Sequence, residues 1–169
     1  NTLTNTGMIS GSATDTGIGV WLYNTSSITT LTNTGTISGL GITAGGFGIA
    51  LTKSSINTLT NTGVISGSTS GRGGAGNSGI GVWLDNTSSI TTLNNSGTIS
   101  GVAANDSAFG VNVNSANNTI TTLTNTGMIS GSITGAKGIA FGVRNGSGVI
   151  TTFNNQQTGL TYSGTLPDN

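Results

Sequence analysis

The chain contains no histidine and no cysteine, two residue types on which much protein chemistry depends. Without an imidazole it lacks the usual general base, the commonest metal ligand and any Ser-His-Asp arrangement. Without cysteine it has no disulfide framework, no thiol nucleophile and no thiolate metal site. We therefore expect neither a cofactor nor a bound metal.

Charged residues are also scarce, at 5% of the 169 residues, where about 25% is usual. Four basic residues balance four acidic ones, so the formal net charge is zero. A nucleic-acid partner requires a Lys/Arg patch, and so does binding to anionic lipid. The composition therefore predicts no nucleic-acid partner and no polybasic membrane contact.

The few carboxylates do not form an evident catalytic pair. The chain has no Glu, and glycoside hydrolysis needs two carboxylates that face one bond. Asp15 and Asp106 lie in loops of non-adjacent repeats, and the repeat register assigns Asp85 to a column with Tyr23, Thr52, Asn114 and Arg144. The prediction is that the protein is not an enzyme.

Long apolar runs and proline are nearly missing as well. No stretch approaches 18 apolar residues, so no transmembrane helix and no membrane insertion of this segment are predicted. The one proline, Pro167, leaves strand hydrogen bonding almost unobstructed. Hydrophobic residues make up 33% of the chain and recur at fixed positions, which favours ordered β structure over a linker.

One phrase, Thr-Leu/Phe-(Thr/Asn)-Asn, returns six times at intervals of 28, 28, 34, 30 and 30 residues. Such a period is typical of repeat architectures. Its apolar members are Leu3, Leu31, Leu59, Leu93, Leu123 and Phe153. Its asparagines are Asn5, Asn33, Asn61, Asn95, Asn125 and Asn155. The repeat units are 1–28, 29–56, 57–90, 91–120, 121–150 and an incomplete 151–169.

Each full unit contains three short segments with strand character. The first is the phrase itself, in which Thr30 and Thr32 flank an inward Leu31, and Gly35 then turns the chain with positive φ. The second is x-Ile-Ser-Gly. The third is an alternating run predicted to place three apolar residues on one face, such as Ile18-Gly-Val20-Trp-Leu22 and, in the fifth unit, Ile139-Ala-Phe141-Gly-Val143.

These features predict an all-β fold, a right-handed parallel β-solenoid with three short strands per coil. About five full coils of 28–34 residues form a single domain over residues 1–169. A helical repeat does not fit, because the apolar spacing is two and Gly, Thr, Ser and Asn fill every segment. Right-handedness follows from the usual hand of β-crossovers.

The six asparagines are predicted to form an inward amide ladder along the axis. A buried amide is costly unless it is hydrogen-bonded, and stacked amides satisfy one another in cross-β structures. The role predicted for this column is structural.

Two surface features are candidates for contact or binding. Trp21 and Trp83 occupy the same outward position two coils apart, with Tyr23 beside Trp21, which indicates contact with another rod or with sugar rings. Two outward threonine columns have the pattern of ice-binding solenoids, although threonine also simply suits an exposed strand. The glycine-rich stretch 73–78 lacks the aspartate of calcium-binding repeats, so we interpret it as a loop.

The phrases Leu-Thr-Asn-Thr-Gly-x-Ile-Ser-Gly and Gly-Ile-Gly-Val-Trp-Leu-x-Asn resemble the β-strand-repeat passenger regions of bacterial autotransporter-type adhesins. The closing stretch 159–169 resembles the segment that often ends such arrays. This resemblance implies an extracellular position on a bacterial surface and export through a C-terminal barrel. The resemblance is specific for the fold but not for an activity, because such repeats occur in passenger regions with many different functions.

We therefore expect a non-enzymatic structural or adhesive rod, or a segment of a self-associating fibre. The alternative is a ligand-binding solenoid, which binds glycan through Trp and Tyr or ice through the threonine columns. The expected partners are other copies of the chain, end to end or side by side, or a host or environmental surface. Asn1 already lies inside a repeat, so two interpretations stay open: the chain is a segment of a longer protein, or it is a subunit of a filament.

Overall fold

The computed structural model describes residues 1–71 and 77–156, and in these ranges the chain forms sixteen strands and no helix. Sheet A contains β1 (Thr2–Asn5), β4 (Ser27–Asn33), β7 (Ser55–Asn61), β10 (Ser89–Asn95), β13 (Thr119–Asn125) and β16 (Val149–Asn155). Sheet B contains β2 (Met8–Ala13), β5 (Thr36–Gly41), β8 (Val64–Thr69), β11 (Thr98–Ala103) and β14 (Met128–Ile133). Sheet C contains β3 (Gly17–Tyr23), β6 (Gly46–Thr52), β9 (Ser78–Asp85), β12 (Ser107–Val113) and β15 (Ile139–Asn145).

Successive coils add one parallel strand to each sheet, so the predicted all-β solenoid with three strands per coil is confirmed. The handedness of the coil stays a prediction. In the two described ranges there is no helix of the length and apolarity that a membrane crossing needs. Residues 73–76 of the glycine-rich stretch and the closing stretch 159–169 lie outside the described residues.

The register of sheet A stacks each copy of the repeated phrase on the next. Leu3 is opposite Leu31, Leu31 is opposite Leu59, and the column ends with Leu123 opposite Phe153. In sheet B, Ile37 and Ile65 are opposite each other and fully buried, so the isoleucine of x-Ile-Ser-Gly points into the core. Identical residues therefore contact one another along the axis.

The core is a set of apolar columns that all three sheets enclose. Its largest fully buried members are Leu31, Ile37, Ile49, Leu51, Ile56, Leu59, Ile65, Leu84, Ile90, Leu93, Ile99 and Ile120. Leu3 in the first coil and Ile129 in the fifth coil are only partly buried, whereas Leu123 of the fifth coil, which β16 covers, is fully buried. Burial is thus complete where a coil has a neighbour on both sides.

The role predicted for Gly35 is wrong, because Gly138 is the only glycine with positive φ among the described residues. A β-carbon on Gly35 would overlap the carbonyl oxygen of Gly7 in the preceding coil, and one on Gly63 would overlap that of Gly35. The glycine at this corner is therefore required by the close approach of two coils, not by a left-handed backbone conformation.

The third strand of each coil also differs from the prediction, because its first apolar residue does not point into the core. Phe47 packs with Ala50 and Trp83 in a cluster separate from the core, whereas Ile49 and Leu51 belong to the core. Gly48 interrupts the alternation: a β-carbon there would lie 2.7 Å from the Ile65 side chain, so this position faces inward beside Ile49. Two adjacent inward positions bend the strand and leave Phe47 on the outer surface.

The same bend corrects the register of the fifth coil. Phe141 is opposite Phe109, and Val143 is opposite Val111, so the bend glycines Gly110 and Gly142 fall at the same position in their strands. Ile139, which the prediction aligned with Phe109, lies two residues earlier and is 57% exposed.

Candidate functional site: the asparagine ladder and the outer groove

The six repeated asparagines form a continuous ladder of side-chain hydrogen bonds along one corner of the solenoid. In each step the Nδ2 of one asparagine donates to the Oδ1 of the asparagine in the next coil. The donor–acceptor distances are 2.8 Å for Asn5 to Asn33, 2.8 Å for Asn33 to Asn61, 2.8 Å for Asn61 to Asn95, 2.7 Å for Asn95 to Asn125 and 3.0 Å for Asn125 to Asn155. All the amides point the same way, so the ladder has an acceptor end and a donor end.

Backbone carbonyls also accept hydrogen bonds from the ladder amides of Asn5, Asn33, Asn61, Asn95 and Asn125. Asn61 Nδ2 also donates to the carbonyls of Gly63, at 3.2 Å, and Thr98, at 3.0 Å. Asn61 is fully buried, and in the described part of the chain no buried side-chain N or O atom is left without a partner. The column is therefore a structural element that ties the corner of one coil to the corner of the next.

The bend in sheet C leaves a row of side chains on its outer face, and we call this surface the outer groove. Two columns of outward side chains line it along the axis. The first column is Ile18, Phe47, Ile80, Phe109 and Phe141. The second column is Trp21, Ala50, Trp83, Asn112 and Arg144.

The three aromatic residues predicted from the sequence lie in or beside this groove. Trp21 and Trp83 belong to the same column, two coils apart, with Ala50 between them. Trp21 is 58% exposed and Tyr23 is 56% exposed, and their ring centroids are 5.2 Å apart. Trp83 is less accessible because its ring stacks on Phe47, with centroids 4.8 Å apart. Within the outer groove, the exposed aromatic surface is thus concentrated in the first coil.

A regular diagonal contact connects the two columns of the outer groove. The indole of Trp83 lies on Phe47 of the preceding coil, and the guanidinium of Arg144 lies 5.2 Å from the ring centroid of Phe109, also in the preceding coil. Stacking and cation–π contacts of this kind stabilise the groove beyond the burial of area.

Two depressions occur along the groove, and both mix rings with polar side chains. One, of about 890 Å³, is lined by Trp21, Phe47, Thr52, Trp83 and Asp85 among others. The other, of about 300 Å³, is lined by Phe109, Phe141 and Arg144 together with polar residues such as Asn112 and Asn114. There Arg144 Nη1 donates to Asn114 Oδ1 at 2.8 Å, and the side-chain Nδ2 atoms of Asn112 and Asn114 donate no hydrogen bond within the described residues.

The structure corrects the column assigned to Asp85. Tyr23, Thr52 and Asp85 are in register, but Arg144 is opposite Asn112 and so belongs to the neighbouring column. The carboxylate of Asp85 accepts a hydrogen bond from Ser115 Oγ at 2.9 Å. Over residues 1–71 and 77–156, no three acidic side chains come together in a group that could hold a metal ion.

The threonine columns of sheet A are in register as well. Thr30 is opposite Thr58 and Thr32 is opposite Thr60, while Asn94 replaces threonine in the fourth coil. These side chains are half-buried against one another rather than fully exposed. The alternative of ice binding stays a prediction.

No family description, curated protein or solved structure matches this chain. The resemblance to autotransporter passenger repeats is thus carried by the repeated phrases alone. Any function has to be argued from the surface of the solenoid.

The sequence reasoning missed the first column of the outer groove. Period-two alternation places Phe47, Phe109 and Phe141 on the same face as the next apolar residues of their strands. The signal that separates them is the glycine that follows each one, since within the third strand only this position is glycine in every coil.

Proposed function

We propose that the protein is a non-enzymatic, extracellular structural or adhesive rod on a bacterial surface, and that the outer groove is its contact surface. The observation that carries the proposal is the placement of exposed Trp21 and Tyr23 on the outside of a solenoid whose interior is fully packed. Exposed large aromatics are typical of surfaces that contact a partner.

The interior supports the structural part of this role. Apolar columns and the asparagine ladder connect every described coil to the next, so the fold is uniform along its axis. Five coils at a strand spacing of about 4.8 Å give a rod on the order of 24 Å long. A rigid body of this kind holds a surface patch at a fixed orientation, which is what an adhesive segment requires.

The surface chemistry favours an uncharged or weakly charged partner. The outer groove carries one acidic side chain, Asp85, and one basic side chain, Arg144, at different positions along the axis. Rings and amides provide the remaining contacts. The test is adhesion of beads coated with the protein to candidate surfaces, with beads coated with a Trp21→Ala, Tyr23→Ala variant as control. Equal adhesion of both bead types would reject the outer groove as the contact surface.

A second candidate function is the binding of a neutral glycan in the outer groove. Its support is that Trp21 and Trp83 flank Ala50 beside polar Thr52 and Asp85, since sugar rings use both apolar stacking and hydrogen bonds. A glycan array probed with the wild-type chain tests this candidate directly. Binding that disappears in Trp21→Ala supports it, and no binding to any glycan rejects it while leaving protein adhesion open.

A further inference from the structure

The smaller depression of the outer groove, which we call the recess, has its floor in the fourth coil, between two described coils. In the second column of the groove, Asn112 lies between Trp83 of the third coil and Arg144 of the fifth. The indole of Trp83 stacks on Phe47 in the second coil, on the side away from Asn112. A short amide side chain between two long ones therefore leaves an open volume of about 300 Å³ on the outer face of sheet C.

Asn112 is an almost fully buried amide with unused donors. Only 4% of the residue is exposed, and its Oδ1 accepts a hydrogen bond from Arg144 Nη1 at 3.4 Å. Its Nδ2 carries two N–H groups that donate to nothing within the described residues. Every fully buried side-chain N or O atom in residues 1–71 and 77–156 has a partner, so this free nitrogen reaches the accessible space of the recess. A ligand acceptor in the recess would complete its hydrogen bonding.

Arg144, which also lines the recess, is held in place by contacts that leave most of its donors free. Its guanidinium lies over the Phe109 ring, 5.2 Å from the centroid, and Nη1 donates to Asn114 Oδ1 at 2.8 Å. Nε and Nη2 donate no hydrogen bond in the described part of the chain. No carboxylate of the described residues forms an ion pair with Arg144, and that of Asp85 accepts from Ser115 instead. The guanidinium is thus oriented but keeps donors and a positive charge without a partner.

The free polar groups of these three side chains are hydrogen-bond donors. Asn114 repeats the arrangement of Asn112, because its Oδ1 accepts from Arg144 while its Nδ2 donates to nothing within the described residues. The arginine therefore uses the amide oxygens and leaves the amide nitrogens unpaired. A guanidinium and amide N–H groups together suit a carboxylate, whose two oxygens only accept hydrogen bonds. A single basic side chain matches the single charge of that group.

The remaining walls of the recess are apolar and favour a sugar residue over a bare acid. Ile80 and Phe141 line it from the third and fifth coils, and Ile139 beside them is 57% exposed. Ser78 and Ser107, which are opposite each other, add hydroxyl groups. Sugar rings use both apolar stacking and hydrogen bonds. A volume of about 300 Å³ lies at the lower limit of ligand pockets, which suits one sugar residue.

We propose that the recess binds a carboxylated sugar residue of an acidic glycan. Arg144 and the Nδ2 atoms of Asn112 and Asn114 donate to the carboxylate, and the sugar ring lies against Phe141 and Ile139. The inference rests on the proposed function of the outer groove as a contact surface, and it names a ligand class for one part of that surface. It differs from the neutral glycan suggested for the larger depression, which has no basic side chain among its described lining residues.

The first experiment compares ligands that differ only in the carboxylate. The wild-type chain is titrated in a calorimeter with hexuronic-acid and sialic-acid oligosaccharides, and with the same oligosaccharides after reduction of each carboxyl group to an alcohol. We expect at least one acidic oligosaccharide to bind, and its reduced form to bind roughly tenfold or more weakly, because Arg144 loses a charged acceptor. Sulfated oligosaccharides and a short peptide with a free C-terminal carboxylate are titrated in the same way.

The second experiment locates the binding with variants of the full chain. Arg144→Gln removes the charge and should weaken binding of the acidic oligosaccharide roughly tenfold or more. Arg144→Lys keeps the charge but not the planar fork of donors, so its affinity should lie between those of Arg144→Gln and wild type. Lys53→Gln is the matched control: it removes one charge from an exposed residue that lines neither depression, and binding should not change. Circular dichroism verifies that each variant is folded.

Four results would overturn the inference: no acidic oligosaccharide that binds, a reduced or sulfated form that binds as tightly as the acid, a peptide carboxylate that binds as tightly as the sugar, or folded Arg144→Gln with wild-type affinity. Adhesion of coated beads is measured on the same samples. Adhesion through Trp21 and Tyr23 without binding of any acid would reject the recess as a site and leave the proposed function intact. Binding of the acid without adhesion would reject the adhesive role and leave the recess as a binding site.

Discussion

The interior of sheet A and the outer groove of sheet C follow opposite rules within the same coils. Inside sheet A the same residues recur in every coil, as in the leucine column and the asparagine ladder. In the outer groove the second column changes from Trp to Ala, Trp, Asn and Arg. Neighbouring strands are about 4.8 Å apart. The interior positions of sheet A therefore contact their own copies and keep the same residue type, whereas the second column of the outer groove differs from coil to coil.

Under the proposed function, the interior columns stabilise the fold and the outer groove binds a partner. The uniform columns hold the coils together, and the variable columns give each coil its own surface. Substitutions inside should therefore lower the free energy of unfolding strongly and depend on the position along the axis. Substitutions in the outer groove should change binding more than stability.

The largest expected effect is that of Asn61→Leu in the middle of the ladder. It leaves the Gly63 and Thr98 carbonyls without their amide partner and removes an acceptor from Asn33. We expect a loss of about 4 kcal/mol or more in the free energy of unfolding, measured by chemical denaturation. Asn155→Leu, at the exposed end of the ladder, is the control and should cost about 1 kcal/mol. Equal stability of Asn61→Leu and wild type would show that the ladder does not stabilise the fold.

The next effect is that of Leu59→Ala in the core column. Leu59 is fully buried between coils on both sides, so the cavity should cost about 3 kcal/mol in the free energy of unfolding. Leu3→Ala makes the same change in the first coil, where burial is partial, and should cost about 1 kcal/mol. Denaturation curves of the two variants check this gradient. Identical losses would mean that burial along the axis does not control the contribution of the column.

The smallest expected effects on stability are in the outer groove. Trp83→Ala removes the stack on Phe47 and should lower the free energy of unfolding by about 1 to 2 kcal/mol. Trp21→Ala removes a mostly exposed side chain and should change it by less than about 0.5 kcal/mol. Thermal unfolding followed by circular dichroism compares the two. A larger loss for Trp21→Ala than for Trp83→Ala would contradict the diagonal contact.

Much of the fold could be predicted from the sequence because the interior repeats itself. The period of the phrase, the alternation around Leu31 and the recurrence of asparagine were enough to predict parallel coils with three strands each. The register of sheet A follows directly, since each leucine is opposite the leucine one repeat away.

The outer groove could not be predicted in the same way, because a strand bend depends on a backbone contact. Period-two alternation assigns Phe47 and Ile49 to one face, yet the inward Gly48 between them places Phe47 outside. In the fifth coil, apolarity alone favoured Ile139 for the first position, although the bend glycine selects Phe141. The aromatic surface of the outer groove is therefore larger than the one predicted from Trp21 and Trp83 alone.

The most direct test of the separation between interior and outer groove is a Trp21→Ala, Trp83→Ala double variant. Its free energy of unfolding and its adhesion, or its glycan binding, are measured side by side with those of wild type. We expect a folded solenoid that loses about 2 kcal/mol of stability and most of its binding. A double variant that is folded and adheres as well as wild type would contradict the assignment of recognition to the outer groove.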